Sequence, residues 1–238
     1  MPGGIASLTA FIDPSAALGP AWGAAALAGA ALGLASALLY GFLLVGRPPS
    51  AARTAVKTLA VGGLALYAFA WGAPWLLIAG LAACVAGDAF LSLDPERWLP
   101  WGLFAFLLGH GLYIALFAEW RQPDLEPGPA RLAAFVLIGA VAVALLAFLW
   151  THLGALRPAV VLYVIVISLM TGSSMMLDAA FWPAMAGSVA FMASDAVLAV
   201  QLFRGEVLFG STRATNWAVW FLYCAAQVLI ALAFVGIS

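Results

Sequence analysis

Residues 74–93 read PWLLIAGLAACVAGDAFLSL, an apolar run broken by a single charge, Asp88. As a helix rising about 1.5 Å per residue, such a run covers roughly 30 Å, the thickness of a bilayer's hydrocarbon core. A carboxylate inside that thickness is costly unless it is paired or used. The stretch therefore predicts a membrane-crossing helix that carries a functional side chain.

Similar runs recur outward from it, at approximately 22–45, 54–71, 98–118, 130–150, 157–177, 182–203 and 214–236. With 74–93 they make eight. The expected fold is all-α: a polytopic membrane bundle of eight transmembrane helices over 22–236, preceded by an extracytoplasmic segment, 1–21. Breaks such as RPPS at 47–50 and WGAPW at 71–75 separate the runs, and short connections make neighbouring helices antiparallel.

Composition agrees. Of 238 residues, 66% are hydrophobic and 8% charged, with a mean hydropathy of +1.11. A soluble domain of this size needs more charge to coat its surface. The net charge of −1 comes without a basic stripe, which argues against a nucleic-acid partner, and nothing points to a protein partner. Cys84 and Cys224 lie in apolar runs without ligand-spaced companions, and read as small buried hydrophobes. The first twenty residues lack a basic stretch ahead of their apolar positions, so no cleaved signal peptide is expected. Arg outnumbers Lys eight to one amid abundant Ala, a usage that suggests a GC-rich bacterial genome, and with the apolar runs a bacterial inner (plasma) membrane is the expected location.

Orientation follows from the basic residues. Arg47, Arg53, Lys57, Arg97, Arg157, Arg204 and Arg213 fall at the loops after helices 1, 3, 5 and 7, whereas only Arg121 and Arg131 fall on the other side. Seven against two predicts cytoplasmic basic loops and both termini outside.

Residues 83–91, ACVAGDAFL, and 190–198, AFMASDAVL, share the pattern A-x-x-A-[GS]-D-A-x-L, with Asp88 and Asp195 separated by 107 positions. Matching Ala and Leu mean little in this chain. A second intramembrane Asp after a small residue means more. Helices 3 and 7 point the same way, so the halves 1–4 and 5–8 read as a parallel 4+4 internal repeat. Each aspartate lies roughly 20 Å from the outer end of its helix, at one level and able to face one cavity.

Other polar side chains within the runs are few. Helix 4 carries His110 and Tyr113. Asn216, Trp220, Tyr223 and Gln227 share one face of helix 8. Tyr163 opens helix 6, with Ser168 and Thr171 on a neighbouring face, and Lys57 opens helix 2. Each has a plain packing alternative: core aromatics bonded to backbone for the tyrosines, interhelical glue for Asn216 and Gln227, a satisfied core histidine for His110, and snorkelling for Lys57.

Two carboxyls in one apolar cavity can hold different protonation states, one an acid and the other a carboxylate. Such a pair suits acid–base hydrolysis of an acetal-type bond; it suits a proton-coupled lipid or small-molecule transporter as well. The sequence has neither GxSxG nor HExxH, and His152 lies in a loop, so serine-hydrolase and zinc chemistry are disfavoured. No cofactor or metal is expected.

The run Gly87-Asp88-Ala89-Phe90-Leu91, followed by GLFAFLLGHGLY at 102–113, resembles the YhhN-like lysoplasmalogenase family, whose pattern is GD-x-x-L and then GL-x-x-F-x-x-x-H-x-x-Y. Arg157-Pro158 with Tyr163, SDAVLA at 194–199 and YCAAQ at 223–227 match in order. The likeness covers roughly residues 55–230. One departure is Lys57-Thr58, where the family has Lys-Pro, which bears on where helix 2 starts. The resemblance implies hydrolysis of the vinyl ether bond of lysoplasmalogens, with a lysophospholipid substrate among membrane lipids. Asp88 and Asp195 would then be catalytic, and Lys57, His110, Tyr113, Tyr163, Asn216, Tyr223 and Gln227 would bind substrate or water. Lys57 and Asn216 would stand near the phosphodiester.

Overall fold

A computed structural model describes residues 18–236, except the side chains of residues 95 and 96. Residues 1–17 of the expected N-terminal segment lie outside the described residues. Among the described residues the chain forms long helices and no strand. In order they are α1 (Pro20–Leu39), α2 (Ala51–Ala70), α3 (Trp75–Ser92), α4 (Pro95–Glu119), α5 (Pro129–Leu149), α6 (Arg157–Ser174), α7 (Trp182–Arg204) and α8 (Thr212–Phe234). Seven of the eight are long and apolar enough to cross a membrane. The exception, α2, carries Arg53 and Lys57 in its first two turns. It starts three residues earlier than the apolar run suggests, because Ser50 caps it by accepting a hydrogen bond from Arg53 N at 3.2 Å. Thr58 continues that helix, its hydroxyl donating to Thr54 O at 3.0 Å, so the missing proline leaves Lys57 on the second turn.

Small residues set the closest helix crossings. A Cβ on Gly63 of α2 would meet Gly29 O of α1 at 2.6 Å, and would clash with the backbone of Gly33. This is the small-xxx-small contact by which membrane helices approach. On the α3–α4 pair, a Cβ on Gly80 would meet the Tyr113 ring at 2.5 Å, and one on Gly87 the Phe106 ring at 2.6 Å. The α7–α8 pair does the same at Gly187, against Ala226 O at 2.8 Å. Around these hairpins, α2 packs on α3 and α8, and α4 packs on α6. α5 sits at the rim, strongly apolar and with few fully buried residues, the profile of a lipid-facing helix.

α1 widens into a π-helical turn at Tyr40–Leu44, where Val45 N bonds Tyr40 O at 2.8 Å. Two indoles of α8 reach the carbonyls there: Trp217 Nε1 donates to Gly41 O at 2.7 Å and Trp220 Nε1 to Ala37 O at 2.9 Å. That seam joins the first helix to the last and turns the Tyr40 ring inward, 4.3 Å from the Trp220 ring.

Candidate active site

The odd-numbered helices end, and the even-numbered ones begin, around a cavity of about 280 Å³. Its wall includes Arg53 and Lys57 of α2, Asp88 of α3, Tyr163 of α6, Asp195 of α7, and Asn216 and Tyr223 of α8. Leu99, Leu103, Leu145 and Leu202 supply an apolar side.

The two aspartates have unlike surroundings. Asp88 is 1% exposed. Lys57 Nζ lies 3.0 Å from its Oδ1, and Tyr223 OH donates to its Oδ2 at 2.7 Å. Both carboxylate oxygens are thus engaged, one of them by a buried cation. Asp195 accepts from Tyr163 OH at 2.5 Å on Oδ2, and His110 Nε2 stands 3.9 Å from the same oxygen. Neither Lys nor Arg reaches Asp195 at ion-pair distance among the described residues.

His110 is fully buried, and both its ring nitrogens lack a hydrogen-bond partner among the described residues. Its ring meets those of Phe191 and Tyr163 edge-on, at 4.7 and 5.2 Å. Phe106 and Phe191 also abut Tyr223, at 5.7 and 5.3 Å, so an aromatic floor lies under the carboxyl groups. Such a floor excludes water except where polar groups hold it. No group of His, Cys, Asp and Glu among the described residues is arranged to hold a metal ion.

A model of the YhhN family matches residues 52–234. The chain belongs to the YhhN family. It is 38% identical over 117 residues to the YhhN membrane proteins of Escherichia coli O6:H1 and Shigella flexneri, across 47% of this chain and 52% of theirs. The chain therefore spans about half the length of these curated relatives that it matches. It is also 31% identical over 201 residues to a bovine (Bos taurus) protein named Lysoplasmalogenase TMEM86A, across 77% of this chain and 78% of that one. No solved structure matches.

In this YhhN family member, the residues singled out from the sequence separate into two tiers. Lys57, Asp88, Tyr163, Asp195, Asn216 and Tyr223 line the cavity, with His110 directly behind Asp195. Tyr113 and Gln227 lie a turn deeper and bond each other, Tyr113 OH to Gln227 Oε1 at 2.6 Å, without lining the cavity. Lys57 is only 9% exposed and paired with Asp88, so it does not snorkel to the interface. Asn216 accepts from Gln201 Nε2 at 2.7 Å. Cys84 and Cys224 are free thiols.

Arg53 was counted in the sequence only as a basic loop charge, yet it lines the cavity one turn before Lys57. The signal was available in the spacing, because positions i and i+4 of a helix share a face. Gln201, six residues after Asp195 on α7, also lines the cavity beside Asn216; an uncharged polar residue near a helix end carries no such signal in the sequence.

Proposed function

We propose that this protein is a lysoplasmalogenase-type hydrolase that cleaves the vinyl ether bond of lysoplasmalogens, releasing a fatty aldehyde and a glycerophospho-choline or -ethanolamine. The observation that carries the reading is the pair of aspartates on one cavity wall with unlike partners, Asp88 against Lys57 and Asp195 against Tyr163 and His110. The family and the name of the bovine relative support the bond and the substrate.

The two aspartates then start the cycle in different protonation states. Asp88, neutralised by Lys57, is the carboxylate. Asp195, with no cation bound to it, enters the cycle protonated. It delivers its proton to the β-carbon of the vinyl ether, and the carbon bearing oxygen becomes an oxocarbenium ion. Asp88 takes a proton from water as that water adds to the cationic carbon, giving a hemiacetal. On collapse, Asp88 returns its proton to the departing glycerol oxygen and Asp195 accepts the hemiacetal proton. Both groups are reset, and the balance is one water added and one C–O bond broken. Preformed negative charge beside the developing cation supplies the main electrostatic stabilisation.

In the membrane, α2 would be the eighth span, since its 20 residues match the length of its neighbours. The basic side, with the cavity mouth, would face the cytoplasm and both termini the outside. A parallel 4+4 repeat is supported by the site itself. Asp88 on α3 draws its partners from α2 and α8, and Asp195 on α7 draws its own from α6 and α4. Advancing four helices carries one set onto the other.

The test is product analysis with purified protein in detergent, given a lysoplasmalogen and, separately, its acyl-ester analogue. Fatty aldehyde from the first and no fatty acid from the second is the expected result. Fatty acid release from the ester, or intact lipid moved across proteoliposomes without turnover, would overturn the reading.

A further inference from the structure

Arg53 is held rigidly at the cavity wall. Its Nη1 donates to Ser92 O at 2.8 Å and its Nη2 to the Tyr40 hydroxyl at 3.0 Å, and its plane lies by the Tyr40 ring, 5.6 Å from the centroid. Its Nε is buried without a hydrogen-bond partner among the described residues. A guanidinium has five N–H donors, and only two are engaged here. Among the described residues no carboxylate lies within ion-pair distance of it. Half-buried positive charge fixed in a cavity without a counter-ion is the arrangement that receives an anion from a ligand.

Position and charge specify that anion further. With Asp195 as the proton donor, the charged groups on the wall are Arg53, Lys57 and Asp88, which leaves one positive charge in excess. A phosphodiester carries one negative charge. Arg53 precedes Lys57 by one helical turn, about 6 Å along α2, and Lys57 holds the catalytic carboxylate. In a glycerophospholipid, about five bonds separate the oxygen at the end carbon of glycerol from phosphorus, on the order of 6 Å when extended. One molecule can therefore place its ether bond at the aspartates while its phosphate meets the arginine.

We infer that Arg53 is the receptor for the substrate's phosphodiester and makes the cavity select phosphate-bearing ether lipids over neutral ones. This rests on the vinyl ether hydrolase reading, but binding can be measured apart from turnover. The ligands are a 1-O-alkyl lysophospholipid, whose saturated ether is not hydrolysed, and the matching 1-O-alkylglycerol, which lacks phosphate. Their binding to purified full-length protein in detergent micelles is followed by the fluorescence of the tryptophans, Trp220 being in the cavity wall. Arg53→Gln should weaken the lysophospholipid by about 10- to 100-fold, the value of hydrogen bonds to a charged group, and leave the alkylglycerol unchanged. Arg53→Lys should recover part of the difference.

Equal losses for both ligands would mean that Arg53 only braces Tyr40 and Ser92, and would overturn the proposal. So would a phosphate preference that survives Arg53→Gln but vanishes in Arg47→Gln/Arg213→Gln. That result would put the anion in the adjoining polar chamber of about 340 Å³, which those two arginines line. Glycerophosphocholine and inorganic phosphate separate the sources of the anion. Weak competition by both, against strong competition by the whole lysolipid, supports a lipid headgroup, whereas tight binding of inorganic phosphate alone refutes it. If vinyl ether turnover is absent yet these binding results hold, the hydrolase reading fails and the phosphate site stands.

Discussion

Replacing Lys57 by Met isolates the ion pair at the centre of the site. Lys57 and Asp88 are 9% and 1% exposed and stand 3.0 Å apart. At an effective dielectric near 20, two unit charges at that separation attract by about 5 to 6 kcal/mol. Most of this offsets the desolvation of the two groups, so the pair adds little net stability. Removing one partner leaves the other uncompensated, at a cost of about 3–5 kcal/mol. For a chain of this size that lowers Tm by about 6 to 20 °C. Lys57→Met should therefore destabilise strongly, although methionine fills nearly the same volume. Lys57→Met/Asp88→Asn should regain most of the loss, because no charge is left stranded, and should still release no aldehyde. The assay is thermal unfolding in detergent for wild type, both single variants and the double, which gives the coupling energy directly. Additive losses, or a Lys57→Met single variant as stable as wild type, would refute the buried pair. Aldehyde release by the double variant near the wild-type rate would refute the role of Asp88 in catalysis.

Asp195→Asn removes the proposed acid without stranding a cation; turnover should fall about 100- to 10,000-fold while Tm stays close to wild type, read by aldehyde release and unfolding on one preparation. Tyr163→Phe deletes the 2.5 Å hydrogen bond to Asp195 and should lower kcat about 10-fold with little change in KM, since steady-state kinetics would separate positioning of the acid from substrate binding. Gly63→Leu drives a side chain into the α1 backbone at Gly29 and Gly33 and should cost about 1–3 kcal/mol or more. Its neighbour is the control: a Cβ at Gly62 meets nothing within 4 Å, so Gly62→Ala should leave stability unchanged or raise it by up to about 1 kcal/mol, with both compared by unfolding in detergent.

The bundle could be read from sequence because the bilayer imposes a length and a polarity on each crossing segment, and the runs around Asp88 and Asp195 meet both. α2 blurred that signal for a physical reason. Its first turns carry Lys57, whose charge pairs with Asp88 of α3, and Arg53, which donates to Ser92 O and the Tyr40 hydroxyl, and no local hydropathy window reports such partners. The aspartates were visible because an intramembrane carboxylate needs a reason to be there. Their partners were not. Tyr223 is 135 positions from Asp88, and Gln227 is 114 from Tyr113; nothing in local spacing distinguishes these bonds from the packing alternatives. Arg53 was hidden differently. A basic residue near the end of an apolar helix is explained by the charge bias of membrane loops alone, and that sufficient explanation masks its place in the cavity wall.

Duplicated motifs alone would yield two equivalent carboxyls, and acid–base catalysis needs two different ones. On the proposed reading the difference enters through the helix that precedes each aspartate's own. Lys57 of α2 meets Asp88, whereas Tyr163 of α6 meets Asp195, and Tyr163 follows Lys57 by 106 positions against the aspartates' 107. On the proposed repeat the two stand in corresponding places. An ammonium there favours the anionic form of its aspartate; a phenol donates a hydrogen bond and adds no charge. The second partners diverge likewise, Tyr223 on Asp88 and His110 beside Asp195. On the proposed repeat and mechanism the aspartates would be its retained part, and the residues facing them would assign the roles. If the proposed mechanism holds, exchanging the two aspartates' tasks would require moving the lysine rather than either carboxylate, because the charge on α2 would then decide which carboxyl is left free to carry a proton.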